Sequence, residues 1–463
     1  MNAGRARNVG LGLFIGGAAL FAFAAWGLWR DIAWIAQPFY AYAWWSYIFM
    51  MDGFAALRRG SSLLTTRRRY LLPMCIWSVT FWCFFELLNV RFQNWYYVGV
   101  FPCRSAIDLL GGGLFVFLCF STVFVGIFTT YEALTAVGLG RSWQARPRQF
   151  PRWTSYAVQG LGAVMAGLAI LFPYYLAPLI WGSFTFLVDP WNYRRGARSL
   201  LCDLEHGDWG LVARVFLAGL VCGFVWESFN FFAPQKWIYT VRGLENFKLF
   251  EMPLLGFLGF PALALDSFAA FALISSVLLG NETWEHPGDL RYRVPTYSRR
   301  PSGVWRSAPL QVFFWAVVAV QATRVNLGSL RIDLDDLGLS APEAAVLERE
   351  DVERPRQLLR VTRNPERRNS LKTALGWDET RMQRLLTHAE LLTFKGIGSE
   401  FGSLLTSVGV HCVDDLVAWD PVHLHARLEE VAGDVPVSRI PRLDMVRVWV
   451  LAGRDRGIIL STP

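Results

Sequence analysis

One apolar segment of this sequence occurs twice, as Trp45-Ser-Tyr-Ile-Phe-Met-Met-Asp52 and again as Trp181-Gly-Ser-Phe-Thr-Phe-Leu-Val-Asp189. In each copy an Arg-Arg-Gly triplet follows after a few residues, at Arg58-Arg59-Gly60 and at Arg194-Arg195-Gly196. The two aspartates are 137 residues apart. Because internal similarity of this kind indicates duplicated structural units, the match predicts a tandem repeat within an apolar region.

The similarity continues beyond this segment. Glu86-x2-Asn89 returns as Glu227-x2-Asn230, and Asp108-Leu-Leu-Gly111 parallels Glu251-Met-Pro-Leu-Leu-Gly256. The distance between the copies grows only to 141 and 143 residues at these motifs, which requires no more than short loop insertions. Each unit contains four apolar segments, an even number. We therefore expect both units to enter the membrane from one side and to be related by an axis along its normal.

The composition is that of an integral membrane protein. Of the 463 residues, 53% are hydrophobic, 18% are charged and 21 are Trp, a residue enriched at membrane–water interfaces. A helix needs about 20 apolar residues to cross the bilayer. The sequence predicts eight crossing segments and a marginal ninth, at 11–28, 33–51, 71–88, 109–130, 156–172, 175–188, 211–232, 253–279 and 308–323.

The distribution of arginine predicts the orientation. Arg-rich loops follow the second, fourth, sixth and eighth segments, and the last of these has five Arg between Arg291 and Arg306. By the positive-inside rule these loops and the N-terminus are cytoplasmic, in a plasma (inner) membrane. We expect segment 308–323 to cross as well, because the flanking Arg306 and Arg324 can snorkel to the interfaces. The C-terminal domain is then non-cytoplasmic.

The sequence thus predicts an all-α protein with four parts. These are a first four-helix membrane repeat at 1–140, a second at 141–282, a basic loop with the ninth helix at 283–327, and a soluble domain at 328–463. From Arg324 onward there are 19 basic and 21 acidic residues, whereas the whole chain has a net charge of +8. The positive charge therefore belongs to the membrane part.

The soluble part contains a glycine-flanked turn, Lys395-Gly396-Ile397-Gly398, between two helical patterns. The surrounding motifs are Ala389-Glu390-Leu391, Gly409-Val410, Asp415-Leu416, Asp420-Pro421 and Leu424. Over about residues 334–454 this set resembles the helix-hairpin-helix family, more narrowly its uncharacterised SAM-like domains. A degenerate copy lies 58 residues earlier, with Gly338 in the place of Gly396, which predicts two hairpin units in tandem.

Helix-hairpin-helix units that grip phosphate present backbone N–H groups beside Lys or Arg. Here Lys395 is followed by Glu400, and the domain has no net positive charge. We therefore assign the turn to a protein contact or to a structural role, and the sequence argues against nucleic acid as a partner.

Acidic side chains inside apolar segments are candidates for chemistry, because a charge in hydrocarbon is costly. The candidates for catalysis are Asp266, Glu86, Glu227 and Glu251, and Asn89, Asn230 and Asp108 complete a polar cluster. Asp266 stands where the first unit has Val123. The alternative interpretation is that the Glu-x-x-Asn pairs cap or cross-link helices near the headgroups. Asp52 with Arg58, and Asp189 with Arg194, are interpreted as ion pairs or caps.

The sequence also limits the possible cofactors. All six His lie outside the apolar segments, which argues against His-ligated haem and against a His-box di-iron centre. The seven Cys contain no CxxC pair, so the sequence predicts neither a disulfide framework nor a metal site.

Two functions remain open at this point. The first is a membrane scaffold or adaptor whose tail recruits a protein partner. The alternative is a membrane enzyme or carrier that acts on a lipid or isoprenoid through the acidic cluster. An enclosed polar pocket around Glu86, Glu227 and Asp266 would favour the second function, and a tightly packed interior would favour the first. Membrane lipids are expected partners in both.

Overall fold

A computed structural model describes residues 1–98, 106–241, 248–296, 303–325, 327–329, 334–352, 354–435, 437 and 440–454. The chain is mostly helical. It divides into two compact units. The first comprises Met1–Gln93, Gly113–Ala233 and Leu249–Thr323, and the second comprises Asn94–Gly112, Pro234–Lys248 and Arg324–Pro463.

The helices of the first unit follow the order of the repeated segments. Up to residue 140 they are α1 (Ala3–Trp29), α2 (Ala33–Ala36), α3 (Phe39–Arg59), α4 (Leu71–Phe92), α5 (Ala106–Phe120) and α6 (Thr122–Ala136). Up to residue 282 they are α7 (Arg152–Leu171), α8 (Pro173–Leu176), α9 (Ser183–Arg194), α10 (Leu200–Glu205), α11 (Trp209–Phe232) and α12 (Gly259–Leu278). The last helix of this region is α13 (Gly303–Val325).

Among the described residues, six helical stretches are long and apolar enough to cross a membrane. They are Ala3–Trp29, Arg68–Phe92, Leu110–Ala136, Arg152–Leu171, Trp209–Phe232 and Leu254–Leu278. Six of the predicted segments are confirmed in this sense. The segment at 33–51 lies mainly in α3, which does not reach the same apolarity, and the apolar part of α13, Ser307–Val320, is shorter than a full span.

The prediction of a continuous sixth helix at 175–188 is wrong. The chain there forms α8, then a 3-10 turn at Ala177–Ile180, and only then α9. Pro178 supplies no backbone donor, and Gly182 has a φ of 86°, a conformation that favours glycine. The break leaves the first N–H groups of α9 buried and without carbonyl partners in their own helix.

The order of helix neighbours is the same in both halves of the first unit. Helix α3 packs on α1 and α6, and α6 contacts α4. Likewise α9 packs on α7 and α12, and α12 contacts α11. Glycines allow α3 to pack closely on α1, and α9 to pack closely on α7. A Cβ on Gly17 would lie 2.7 Å from the Ser46 carbonyl oxygen, and one on Gly162 would lie 2.7 Å from the Leu187 nitrogen.

Helix α13 packs along α4. The Trp315 Nε1–H donates to the Thr80 hydroxyl at 2.9 Å, and that hydroxyl donates to Gln311 Oε1 at 3.2 Å. Val318 packs against Val79 in the same contact. Thr80 is the tenth residue of the 22-residue helix α4, so α13 meets α4 near the middle of its length.

The second unit contains a three-stranded sheet, which corrects the all-α prediction. Its strands are β1 (Trp95–Val98), β2 (Lys236–Tyr239) and β5 (Leu327–Ser329), and β1 lies in the centre. Strand β2 pairs antiparallel with β1, and β5 pairs parallel to it. A separate two-stranded pair is formed by β3 (Lys248–Leu249) and β4 (Met252–Pro253).

The part of the second unit that the structure describes contains eight further helices. They are α14 (Ala341–Arg349), α15 (Pro355–Val361), α16 (Pro365–Leu375), α17 (Glu379–Thr393), α18 (Gly398–Ser407), α19 (Val413–Val417), α20 (Pro421–Val431) and α21 (Leu443–Arg454). One core lies around Leu347 and Leu371 of the earlier helices. A second core is formed by the later helices together with Tyr96, Val98 and Ile238 of the sheet.

Candidate functional site

The two Glu-x-x-Asn pairs are buried at corresponding places of α4 and α11. Glu86 is 3% exposed, and Asn89, Glu227 and Asn230 are fully buried. The spacing of three residues places each pair on one helix face, as predicted. The Trp82 indole N–H, one turn earlier, donates to Glu86 Oε1 at 2.9 Å.

Aromatic rings fill the space between α4 and α11. The rings of Trp82 and Trp226 are 5.1 Å apart, and Trp226 also meets Trp44 of α3 at 5.7 Å. Trp44 is 1% exposed. The interior beside both Glu-x-x-Asn pairs is therefore packed with aromatic side chains.

Asp266 of α12 caps the broken helix α9. Its Oδ2 accepts the Gly182 backbone N–H at 2.9 Å, and its Oδ1 accepts the N–H and the hydroxyl of Thr185 at 2.6 and 2.5 Å. The side chain is fully buried, as predicted. These three bonds satisfy donors that the helix break leaves without partners. The geometry gives Asp266 a structural task.

The matched aspartates of the repeated segment hold the loop that follows them. Asp52 accepts the Ser62 hydroxyl at 2.6 Å and the Leu64 N–H at 3.1 Å. Asp189 accepts the Ser199 hydroxyl at 2.9 Å and the Leu200 N–H at 2.8 Å. Of the two expected roles, ion pair or cap, these contacts favour the cap, because each carboxylate accepts the hydroxyl ten residues later and a backbone N–H of the following loop.

Two further candidates, Glu251 and Asp108, lie outside helices α4, α11 and α12. Glu251, in the turn between β3 and β4, is 1% exposed. Asp108 lies in α5, and its side chain is outside the described residues.

The predicted hairpin turn lies between α17 and α18. Lys395, Gly396 and Gly398 all have positive φ, at 43°, 80° and 69°, and Ile397 is fully buried in the second core. The Lys395 carbonyl oxygen accepts the Tyr96 hydroxyl at 2.7 Å. The turn is thus engaged inside the second unit by a residue of β1.

The Lys395 carbonyl oxygen accepts from a second donor, and the sequence predicted neither of the two. The Trp449 indole N–H of α21 bonds to it at 3.2 Å. No sequence signal identifies Tyr96 or Trp449 as a partner of the turn, because they lie 299 and 54 residues away from Lys395.

Sequence reasoning missed a set of buried ion pairs. Arg198 donates to Glu285 at 2.6 Å and to Asp203 at 2.7 Å, and Arg67 bonds to both oxygens of Glu132 at 2.7 Å. Burial raises the pKa of Asp203 to about 8, although Arg198 opposes the shift. Glu132 could have been found, because it is an acidic residue within the apolar helix α6.

An apolar groove of about 360 Å³ lies at the start of α11. Its lining residues are Trp143, Trp209, Val212, Ala213, Phe216 and Leu217. None of the acidic candidates is among them. Within the described residues, Glu86, Glu227 and Asp266 are packed among side chains rather than exposed to this groove.

One group of side chains has the composition of a metal-ligand set. Cys202, Glu205 and His206, at the end of α10, place one donor atom each within 4.8 Å of the others. Burial raises the pKa of the Cys202 thiol to about 11.

Comparison with known families identifies one region of the chain. Residues 337–455 match a family described as Domain of unknown function (DUF4332). The expected uncharacterised domain in the C-terminal region is therefore confirmed, and this match does not extend into the membrane part. No curated protein and no solved structure matches the chain.

Proposed function

We propose that this chain is an integral membrane scaffold or adaptor, whose C-terminal domain recruits a protein partner on the non-cytoplasmic side. The observation that carries the proposal is the bond from the Tyr96 hydroxyl to the Lys395 carbonyl, at 2.7 Å. A loop of the first repeat and, through Ile238, a loop of the second both contribute to the core of the C-terminal domain. A core that joins segments of both repeats to the C-terminal helices suits a display function.

A membrane crossing by α13 is supported by its contacts with α4. This helix has 23 residues and a length of about 35 Å, enough for a bilayer of about 30 Å. Gln311 interrupts its apolar stretch, but that side chain is 3% exposed and bonds to Thr80 near the middle of α4. A helix lying in the interface would not meet α4 at this depth.

The proposed side of the tail is supported by the order of elements along the chain. Strands β1, β2 and β5 begin two to four residues after α4, α11 and α13 end, and they pair with one another. Arg-rich segments precede α4 and α13, which by the positive-inside rule favours a cytoplasmic start for these helices and a non-cytoplasmic tail.

A protein partner fits the chemistry of the tail better than nucleic acid. The tail has 19 basic and 21 acidic residues, and its most suitable phosphate-binding turn is engaged by Tyr96 and Trp449. A tandem helix-hairpin-helix arrangement is supported by the positive φ of Gly338, at 69°, because its counterpart Gly396 also has a positive φ, at 80°. The first hairpin unit, α14 to α16, is the surface that we expect to contact the partner.

A second candidate function, an enzyme or carrier for a lipid or isoprenoid, is favoured by one observation. Glu86 and Glu227 are buried at matching positions beside aromatic rings, an environment that suits a hydrophobic substrate.

Two experiments test the proposal. A photo-crosslinking amino acid at the exposed Arg367 of α16 should give a discrete protein adduct in cells, whereas the buried Leu371 of the same helix should give none, and the exposed Val422 of α20 is the control outside the expected surface. An alkaline phosphatase fused after Arg454 should be active. Absence of an adduct at Arg367, together with an altered lipid extract in cells lacking the gene, would favour the second candidate. An inactive phosphatase would refute the proposed side.

A further inference from the structure

Three metal-ligating side chains lie together on the connection between α9 and α11, outside the site described above. Cys202, Glu205 and His206 occupy positions i, i+3 and i+4 of one helical turn, so they project from the same face. One ligand atom of each of the three residues lies within 4.8 Å of those of the other two. All three side chains are half-buried.

The carboxylate of this group is oriented by neighbours. The Tyr193 hydroxyl lies 3.0 and 2.9 Å from the two oxygens of Glu205, and the Phe150 backbone N–H donates to Oε1 at 2.9 Å. Ligating carboxylates in metal sites are held by hydrogen bonds of this type, which fix the direction of the remaining lone pairs.

The imidazole is fixed in a similar way. His206 Nδ1 is 2.8 Å from the Cys202 carbonyl oxygen, so the tautomer that donates there keeps the lone pair on Nε2. The ring also stacks on Tyr292, with centroids 4.8 Å apart. A histidine that donates one ring N–H to a backbone carbonyl while the other nitrogen is available is the usual arrangement of a metal ligand.

We propose that Cys202, Glu205 and His206 bind a divalent transition metal, with zinc as the expected ion. Zinc takes thiolate, imidazole and carboxylate ligands at about 2.0–2.3 Å, and three protein ligands leave its fourth position to water. Magnesium and calcium do not suit this set, because they select oxygen ligands. On binding, the metal–sulfur bond replaces the thiol S–H bond of Cys202, and the proton passes to solvent.

The test uses the full-length protein in detergent, purified under reducing conditions, stripped with a chelator and titrated with Zn²⁺ or Co²⁺. We expect one metal ion per chain, and with Co²⁺ a thiolate-to-cobalt charge-transfer band. Cys202→Ser should abolish the band. Tyr193→Phe should keep the band and weaken the affinity by about 10- to 100-fold, because only the orientation of Glu205 is lost.

Cys412→Ser is the matched control. Cys412 is also half-buried outside the predicted membrane segments and also neighbours a histidine, His411, so its substitution should leave the band unchanged. If Cys202→Ser does not yield folded protein, His206→Gln takes its place, and loss of metal is again expected. The proposal is overturned if the wild-type protein shows no cobalt–thiolate band, or if the band survives Cys202→Ser or His206→Gln.

Discussion

Asp266→Ala should destabilise the protein by removing the acceptor at the start of α9. The substitution leaves the backbone N–H groups of Gly182 and Thr185 buried and without the bonds of 2.9 and 2.6 Å that they now make. An unsatisfied buried donor costs about 1–3 kcal/mol, so two of them should lower the free energy of unfolding by about 2–6 kcal/mol.

Asp266→Asn should be less harmful. The amide oxygen can still accept from Thr185, but the amide N–H₂ would face the Gly182 N–H, so only one donor loses its partner. The expected loss is about 1–3 kcal/mol. Thr185→Val removes the hydroxyl alone and should cost about 0.5–1.5 kcal/mol.

Thermal unfolding of the purified full-length protein, followed as loss of the monodisperse peak in detergent, measures this order of effects. Thr185→Ser, which keeps the hydroxyl, is the control. An Asp266→Ala variant with the unfolding temperature of the wild type would refute the capping role. So would an Asp266→Asn variant that is less stable than Asp266→Ala.

Two further outcomes are expected. Gly17→Ala should lower the unfolding temperature, because its Cβ would lie 2.7 Å from the Ser46 carbonyl oxygen. Gly16→Ala is the control and should be neutral, because no atom lies within 4 Å of a Cβ at that position. Equal effects of the two substitutions would contradict the close packing of α1 on α3. Glu343 accepts the N–H and the hydroxyl of Ser340, which lower its pKa to about 2. A carboxyl with a depressed pKa contributes stability above its unfolded pKa of about 4.3, and this is lost as the pH falls toward 2. Glu343→Gln should therefore speed hydrogen exchange in α14 at pH 7 and remove its acid dependence; unchanged exchange would contradict the cap.

The apolar segments were predictable because length and composition decide whether a helix can cross a bilayer. The break before α9 was not, although both of its causes, Pro178 and Gly182, are visible in the sequence. Glycine and proline also occur inside continuous membrane helices, and only the packing of Asp266 against Gly182 makes the break stable here.

Within the candidate site, only contacts between residues close in the sequence were predictable. A separation of three residues places Glu86 beside Asn89 on one face, and the high cost of an exposed acid predicts burial. The contact between Tyr96 and Lys395 joins residues 299 positions apart, and nothing in either local pattern encodes the other. The same limit applies to the strands, which are too short to show a periodicity.

In the membrane part, an acidic residue with a structural role occurs in the same repeats as the backbone feature that it stabilises. Asp52 and Asp189 are present in both four-helix repeats and hold a loop that is present in both. Asp266 is present only in the second repeat, with Val123 at the matching place of the first. It holds the start of α9 at Gly182, whereas α3 is continuous through the matching segment, Trp45 to Asp52. In each case the distribution of the acid matches the distribution of the backbone feature that it satisfies.

Glu86 and Glu227 do not fit this rule in the same way. They too occur in both repeats, but each lies within a continuous helix, α4 or α11, whose interior N–H groups already bond to carbonyl oxygens one turn earlier. Their own helices therefore do not need them as caps. Each is buried beside a tryptophan that meets the other helix, Trp82 and Trp226. Among the buried acids of the membrane part, this pair is consequently the place where an interaction between the two repeats, or a bound lipid, has to be sought first.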